Sequence, residues 1–427
     1  MGSTTISATL DYAAAVLTVD QNITYPLLNT AEIAEIPLIL EPLTLSADFS
    51  LFEATASGRR ALAHRQDGEL IWLELTPEEI QGDRVSVDLH YSYKLSNRNG
   101  TLGSTPYQTN LGEWYAVIPP QISGSSWLVH PRGKVGEHVA NDPVNFSVQL
   151  EITNPPANLV VAASAPYTII DNRLSFSLPA SRSFALSLSP YYQQLTASAG
   201  ITDITISYYP QHQEAAQAAL DVTLKALTLY SSLYSSSPYT SLSVVESLFP
   251  DGMEYQGMFF LGQEYFADYQ EEPDGYLIPI AVHETAHQWW YGLVGNDPAL
   301  EPWLDEVLCT YSEALFFEHH FPENLSWWWD FRVERFNPSG WVDSTIYDHL
   351  DFRSYVDAVY LRGAIWLQAV RQQLGDDAFF LALNEYAGSF AGERASGEQF
   401  LALIDDQSTT DLSQIMAEFF QDPPGEP

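Results

Sequence analysis

Near residue 200 the hydrophobic period of this chain changes from that of strands to that of helices, and this switch limits the folds open to it. Before it, β-branched or alternating runs are broken by Pro, Gly and Asn: Val85 to Tyr93, Phe146 to Ile152, Leu159 to Ala163, Leu174 to Leu178 and Phe184 to Leu188. Such runs turn successive side chains to opposite faces and predict half-buried strands in mostly antiparallel sheets. A last strand over Ile204 to Tyr209 gives way to Leu220, Leu224, Leu227, Tyr230 and Tyr234, whose steps of three and four predict a long amphipathic helix. The expected class is α+β, with an antiparallel β-rich domain over residues 1–198 and a mainly helical domain over 199–427. At 427 residues the chain is long enough for separate cores. No internal repeat of solenoid or propeller length recurs.

Composition narrows the partners. Lys plus Arg number 17 against 55 Asp plus Glu, a formal charge of −38, which disfavours nucleic-acid phosphates and anionic membrane surfaces as partners. No run of about 18 apolar residues exists, so no membrane-spanning segment is expected. Lysine is confined to Lys94, Lys134 and Lys225, a bias shared by extracytoplasmic and high-salt proteins, and an extracytoplasmic or secreted setting is the expectation. The single cysteine, Cys309, leaves no internal disulfide. The opening Met1-Gly2-Ser3 has the form of an added leader in place of a native targeting segment, and Asp422 to Pro427 reads as the start of a linker.

The segment Leu277 to Tyr291 contains His283-Glu284-Thr285-Ala286-His287. On an α-helix residues four apart stack on one face, so these two imidazoles can share one metal ion. Glu284 sits about 100° around the helix, too far for a third ligand but placed to touch a metal-bound water, the position of a general base. Asp274 and Gly275 can begin this helix, and Pro279 is tolerated in its first turn. With 18 residues intervening after His287, Trp303-Leu304-Asp305-Glu306 opens another helix. Leu304, Leu308, Tyr311 and Leu315 define its core face, and Glu306, Thr310 and Glu313 line another. Glu306 can reach back to the metal. Two His and one Glu leave the fourth tetrahedral position open, the catalytic rather than the structural pattern of zinc.

On these residues the chain resembles the zinc aminopeptidases of the gluzincin type, the family of alanyl aminopeptidase and leukotriene hydrolase. His283-Glu284-x-x-His287 and Glu306 match its zinc signature, with Gln288-Trp289 and Trp303-Leu304-Asp305 in family-like surroundings. Asp251-Gly252-Met253-Glu254-Tyr255 is similar to its Gly-x-Met-Glu-Asn loop, and Tyr360-Leu361-Arg362-Gly363 to its Tyr-x-Lys-Gly motif. The resemblance implies a saddle-like β domain followed by a thermolysin-like catalytic domain. It also implies one zinc ion on His283, His287 and Glu306, with Glu284 as base and Tyr360 as hydrogen-bond donor to the oxyanion. Gly252, Met253 and Glu254 would bind substrate, Glu254 gripping the free α-ammonium of a peptide. The family's usual C-terminal helical domain has no counterpart in the sequence, which implies a more open cleft.

Four departures stand out. Tyr255 replaces the loop's Asn and Asp251 its first Gly, Val307 replaces a Gly that commonly follows the ligand Glu, and no residue of the β domain matches the family's second ammonium anchor. The nearest region is Trp114 to Pro119. The leading reading is a zinc aminopeptidase; the alternatives are a zinc endopeptidase or other zinc hydrolase with an open cleft, and a peptide-binding protein with a vestigial site. Glu313 reads either as a support for a zinc ligand or as a solvated acid. Cys309 reads as a small buried hydrophobe. Ser326 suits an N-cap before Trp327, Trp328 and Trp329, which read as packing residues, and His319 and His320 suit a helix C-terminus. Neither a Gly-x-Ser-x-Gly elbow nor a paired Cys nucleophile is present, so covalent hydrolase schemes find no support. Oligomeric state and side-chain preference are not written in these motifs.

Overall fold

In a computed structural model, which describes residues 1–28, 30, 33–56 and 60–422, the β-rich half is built around a nine-stranded sheet. Along Arg84–Lys94, Val85, Val87, Leu89, Tyr91 and Tyr93 alternate into the core while their neighbours face outward, which is what fixes the register of the strand. The neighbours on this sheet are antiparallel with one exception, Gly2–Asp11 beside Val144–Thr153. Gly2 and Ser3, read from the sequence as part of an added leader, pair with Val144 and Asn145 there. The linker expected from Asp422 to Pro427 lies, beyond Asp422, outside the described residues. Val160–Ala163 and Leu186–Ser189 pair in a separate four-stranded sheet.

A five-stranded sheet opens the second half, in the order Gln193–Ala199, Thr202–Tyr208, Ser241–Ser247, Met258–Gly262, Met253–Tyr255. The boundary expected between residues 198 and 199 therefore falls inside a strand that is hydrogen-bonded into this second sheet. Thr202–Tyr208 and Ser241–Ser247 run parallel, joined through the long helix Gln213–Leu233. Three helices meet at the hydroxyl of Tyr230, which lies 3.3 Å from the carbonyl oxygen of Val282 and 2.9 Å from that of Ser312. Among the described residues no helix is long and apolar enough to cross a membrane.

The helix carrying the two histidines spans Leu277–Ala286, so it ends earlier than the run to Tyr291 suggests. His287 is its C-cap, and its amide still bonds the His283 carbonyl at 3.3 Å, which keeps the two side chains on one face. Tyr291 adopts φ 98°, a conformation no helix continues through, and wider bonds from Gly292 to His287 and from Leu293 to Gln288 take over. The turn buries Trp289 and Trp290 against Tyr230 and Tyr234. Pro279 stands in the first turn as expected, after an N-cap at Tyr276 rather than at Asp274 or Gly275. Ser326 is not a cap: Asn324 precedes the helix Leu325–Trp328, and Ser326 lies inside it. Trp328 is buried and Trp327 and Trp329 are half-buried, the packing role expected of them.

Trp303–His320 is buried on both faces, because it runs between the histidine helix and the helix Arg362–Leu374. Here the departure at Val307 finds its explanation. A Cβ built on Gly363 would stand 2.2 Å from Val307 Cγ2, so the glycine of one helix receives the valine of the other. Gly363→Ala is expected to lower stability by about 1–3 kcal/mol through overpacking. Val307→Ala in the same chain should recover part of that loss, read as denaturation midpoints; an additive double mutant would show the two positions do not touch.

Candidate active site

His283 and His287 reach the same point from one helix face. His283 Nδ1 lies 2.9 Å from Glu313 Oε1, and His287 Nδ1 lies 3.1 Å from the Trp290 carbonyl oxygen. A carbonyl oxygen and an ionised carboxylate only accept, so both Nδ1 atoms donate and both Nε2 lone pairs are left free. These point at Glu306, whose Oε2 is 3.2 Å from His283 Nε2 and 3.7 Å from His287 Nε2. Metal bonds of about 2.0–2.1 Å at tetrahedral angles would separate neighbouring donors by about 3.3–3.4 Å, so two nitrogens and one carboxylate oxygen stand at the spacing of a zinc ligand set.

Glu313 sits behind His283 and is fully buried. It accepts from His283, from Trp328 Nε1 at 3.0 Å, and from Arg332 Nε at 2.9 Å and Nη2 at 3.0 Å. Burial works against its charge, but Arg332 and these bonds hold its carboxyl below the usual range. The solvated reading of Glu313 is thereby excluded. Burial likewise opposes a charge on His283, yet bonds to Glu306 and Glu313 raise its pKa to about 10, whereas burial lowers His287 to about 4. The carboxylates around His283 call for a positive charge between them, which a divalent cation supplies as well as a proton does.

Glu284 is buried beside this triad, and its Oε2 has no hydrogen-bond partner among the described residues. Burial first, and the nearby acids Glu306 and Asp251, push its pKa well above the usual carboxylate value. The need for glycine at position 252 is plain here: a Cβ on Gly252 would stand 2.1 Å from Glu284 Oε1. The Tyr360 ring lies parallel to that of His283, with centroids 6.0 Å apart, and its hydroxyl interacts with Glu306. Tyr360 lies on a wide helical turn, Val356–Leu361.

The loop before the histidine helix folds as the edge strand Met253–Tyr255, paired with Met258–Gly262. Gln288, next to His287, pins it from below: its Nε2 donates to the Tyr255 carbonyl at 3.1 Å and its Oε1 accepts from the Gly257 amide at 2.9 Å. Every residue expected in the site lines one cavity of about 460 Å³: Gly252, Met253, Glu254, His283, Glu284, His287, Glu306 and Tyr360. Cys309 is beneath the floor, its sulfur 4.0 Å from the Trp290 carbonyl oxygen, and burial holds it as a thiol.

Three neighbours carry no signal in the sequence. Arg332 belongs to a second wide turn, Trp329–Val333. Glu137, from the β-rich half, lines the same cavity as Glu254. Neither makes a hydrogen bond among the described residues, Glu254 Oε1 lying 3.9 Å from His287 Nδ1, and burial first, then the nearby acids Glu306 and Asp305 for both and Glu137 for Glu254, raises their pKa values. Glu137 comes after Gly136 in a stretch without regular structure, and no periodicity or motif marks it. Glu113 is the third, held at 2.5 Å by the Tyr255 hydroxyl. The stretch Trp114 to Pro119 does not enter the metal cavity; its Tyr115 and Val117 line an adjoining one.

Two imidazoles, a glutamate and a buried second glutamate so arranged define a metallopeptidase-like centre. Residues 218–419 match the model of the Peptidase family M1 domain. It is 26% identical over 216 residues to Aminopeptidase M1-D of Oryza sativa subsp. japonica, covering 46% of this chain and 24% of that one. To Aminopeptidase N of Lactobacillus delbrueckii subsp. lactis it is 25% identical over 231 residues, 49% of this chain and 27% of the other. The chain thus spans about a quarter of the length of these curated relatives. Its whole length superposes on an M1 zinc metallopeptidase from Deinococcus radiodurans with a TM-score of 0.68 at 18% identity, covering 100% of this chain and 94% of that one. The two-domain α+β architecture is shared.

Removing the support behind His283 should show in metal binding itself. Glu313→Gln leaves the shape but weakens the acceptor, and zinc affinity in a chelator competition is expected to fall about 10- to 100-fold. Unchanged affinity would mean that Glu313 serves only the packing of Arg332.

Proposed function

We propose that the chain is a zinc-dependent aminopeptidase that removes single residues from the amino ends of peptides. The observation that carries the reading is the pair Glu137 and Glu254, a half-buried and a buried carboxyl that line, without hydrogen-bond partners among the described residues, the cavity that holds His283, His287 and Glu306. Acids withdrawn from water without a hydrogen-bond donor are costly, and a substrate ammonium between the two supplies both a charge and donors. The M1 match supports the same chemistry, and the Deinococcus radiodurans enzyme has a structure with a Tyr-Ser-Ala substrate.

In this reading His283, His287 and Glu306 hold one zinc ion, the gluzincin arrangement. When bound, zinc supplies the Lewis acidity that acidifies an attacking water and polarises the scissile carbonyl. Glu284 takes the proton of that water on its free Oε2 and delivers it to the departing nitrogen. Tyr360 donates a hydrogen bond to the oxyanion that forms on the former carbonyl, a contribution of about 3–4 kcal/mol. Glu254 and Glu137 fix the ammonium, so that the first peptide bond and no later one lies beside Glu284. Glu313 and Arg332 hold His283 in the tautomer this requires.

The reading is tested on aminoacyl-arylamides with free and acetylated amines. Free-amine substrates are expected to be cleaved and acetylated ones not; equal rates would replace the aminopeptidase with an endopeptidase. Glu284→Gln should abolish turnover with zinc retained, and Tyr360→Phe should lower kcat about 10²- to 10³-fold with little change in KM. Glu137→Gln should lower kcat/KM about 10- to 100-fold, the effect of one charge-assisted hydrogen bond. Retention of full activity in that variant would leave Glu254 as the sole anchor.

A further inference from the structure

Behind Glu254 and Glu137 lies a cavity of about 310 Å³ that shares Gly136, Glu137, Phe249, Met253 and Glu254 with the metal-side cavity. We infer that this cavity receives the side chain of the substrate's first residue and selects lysine or arginine there, with Glu113 as the residue that reads the positive charge. The inference rests on the aminopeptidase reading. In that reading the ammonium lies at Glu137 and Glu254 and the carbonyl points to the triad. The side chain grows from the same carbon as the ammonium, so the direction left to it is the space on the far side of the two carboxylates.

The walls of that space suit a long side chain with a charged end. Phe249, Met253 and the Tyr255 ring offer apolar surface for methylenes, as stems of Lys and Arg prefer. Glu113 lines the same space. Its Oε1 accepts from the Tyr255 hydroxyl at 2.5 Å and its Oε2 from Thr101 Oγ1 at 2.8 Å, so the carboxylate is held in place while each oxygen keeps a lone pair for a further donor. Gly112 makes the arrangement possible, since a Cβ there would stand 2.2 Å from the Tyr255 hydroxyl oxygen. Tyr255 occupies the position where the resembled loop has Asn, so the departure from that motif is what seats Glu113.

The charges of the lining favour a cation. Four carboxylates line the cavity, Glu41, Glu113, Glu137 and Glu254, against two guanidiniums. Arg132 is already engaged, 3.1 Å from Glu41 and 2.8 Å from Glu69. Arg98 is exposed and donates from Nε to the Leu102 carbonyl at 3.0 Å. A leucine side chain would take water from Glu113 and return no donor, and a glutamate would meet like charge.

The test uses the zinc-loaded full chain and the arylamides of Lys, Arg, Leu and Glu. Lys and Arg are expected to exceed Leu in kcat/KM by about tenfold or more, with Glu lowest. In Glu113→Gln, whose amide oxygen still accepts from Tyr255, the Lys-to-Leu ratio should fall by about that factor. A readout independent of turnover is calorimetric titration of Glu284→Gln with L-lysine and L-leucine, where lysine should bind more tightly and lose its advantage when Glu113→Gln is added. Leucine equal to or better than lysine in the unmodified enzyme overturns the inference without any variant having to fold, and so does a ratio unmoved in Glu113→Gln. Cleavage of Leu over Lys leaves the aminopeptidase reading standing, whereas no cleavage of any free-amine substrate removes that reading and this one together.

Discussion

The site depends on one buried carboxylate that never meets substrate. Glu313 sits fully buried and ionised between His283 and Arg332, and each partner solves a problem for the others. Arg332 keeps Glu313 charged; a charged Glu313 can only accept, which commits the His283 proton to Nδ1 and its lone pair to the metal side. Arg332 is itself buried and would be untenable without Glu313, since breaking a buried pair costs about 3–5 kcal/mol. Trp328 closes the remaining approach to the carboxylate. The arrangement ties the histidine helix, the Glu306 helix and the turn after Trp328 into one unit, so the ligand geometry is set before any ion arrives.

On the open side of the triad the logic is reversed. Glu254 and Glu284 are buried and Glu137 half-buried, and burial together with the field of nearby acids raises all three. Such a cavity is poorly matched to its own charges when empty of cations. It gains most from ligands that bring positive charge to fixed places, a metal at the imidazoles and an ammonium at the two outer glutamates. Gly252 makes this crowding possible, because the absent side chain is what allows the strand bearing Glu254 to lie against Glu284.

How much of this was legible in the sequence depends on the range of each contact. The histidines and Glu284 are one helical turn apart, so their geometry is local and readable from the 3.6-residue period alone. Glu306 was placed by its spacing and by the helix it opens. The switch from strand to helix period indicated the two-domain order, though the strand Gln193–Ala199 belongs to the later sheet, a pairing that no local pattern encodes. Glu254 and Tyr360 were visible only through family resemblance. Glu137 and Glu113 were not visible at all, since each meets its partner across a gap of more than a hundred residues and between the two halves of the chain. Val307 and Tyr255, which looked like departures, are matched elsewhere: the first fits against Gly363, and the second is paired with Gly112 and Glu113.

Arg332 and Tyr360 share a feature that hides both from the α-helical period. Each lies on a wide turn in which the backbone bonds skip to the fifth residue, Trp329–Val333 and Val356–Leu361. Such a turn adds one residue without advancing the helix, and so rotates all later residues of that helix by about 100° relative to an α-helical continuation. Regular helix through Trp329 would carry the guanidinium off Glu313, and regular helix through Val356 would carry the phenol off the face of His283. A pattern search at the α-helical period assigns both residues to the wrong face for the same reason. These turns persist because packing offsets their cost: Val333 and Leu361 are fully buried, so the shifted register places apolar side chains in the core while it turns Arg332 and Tyr360 to the metal side.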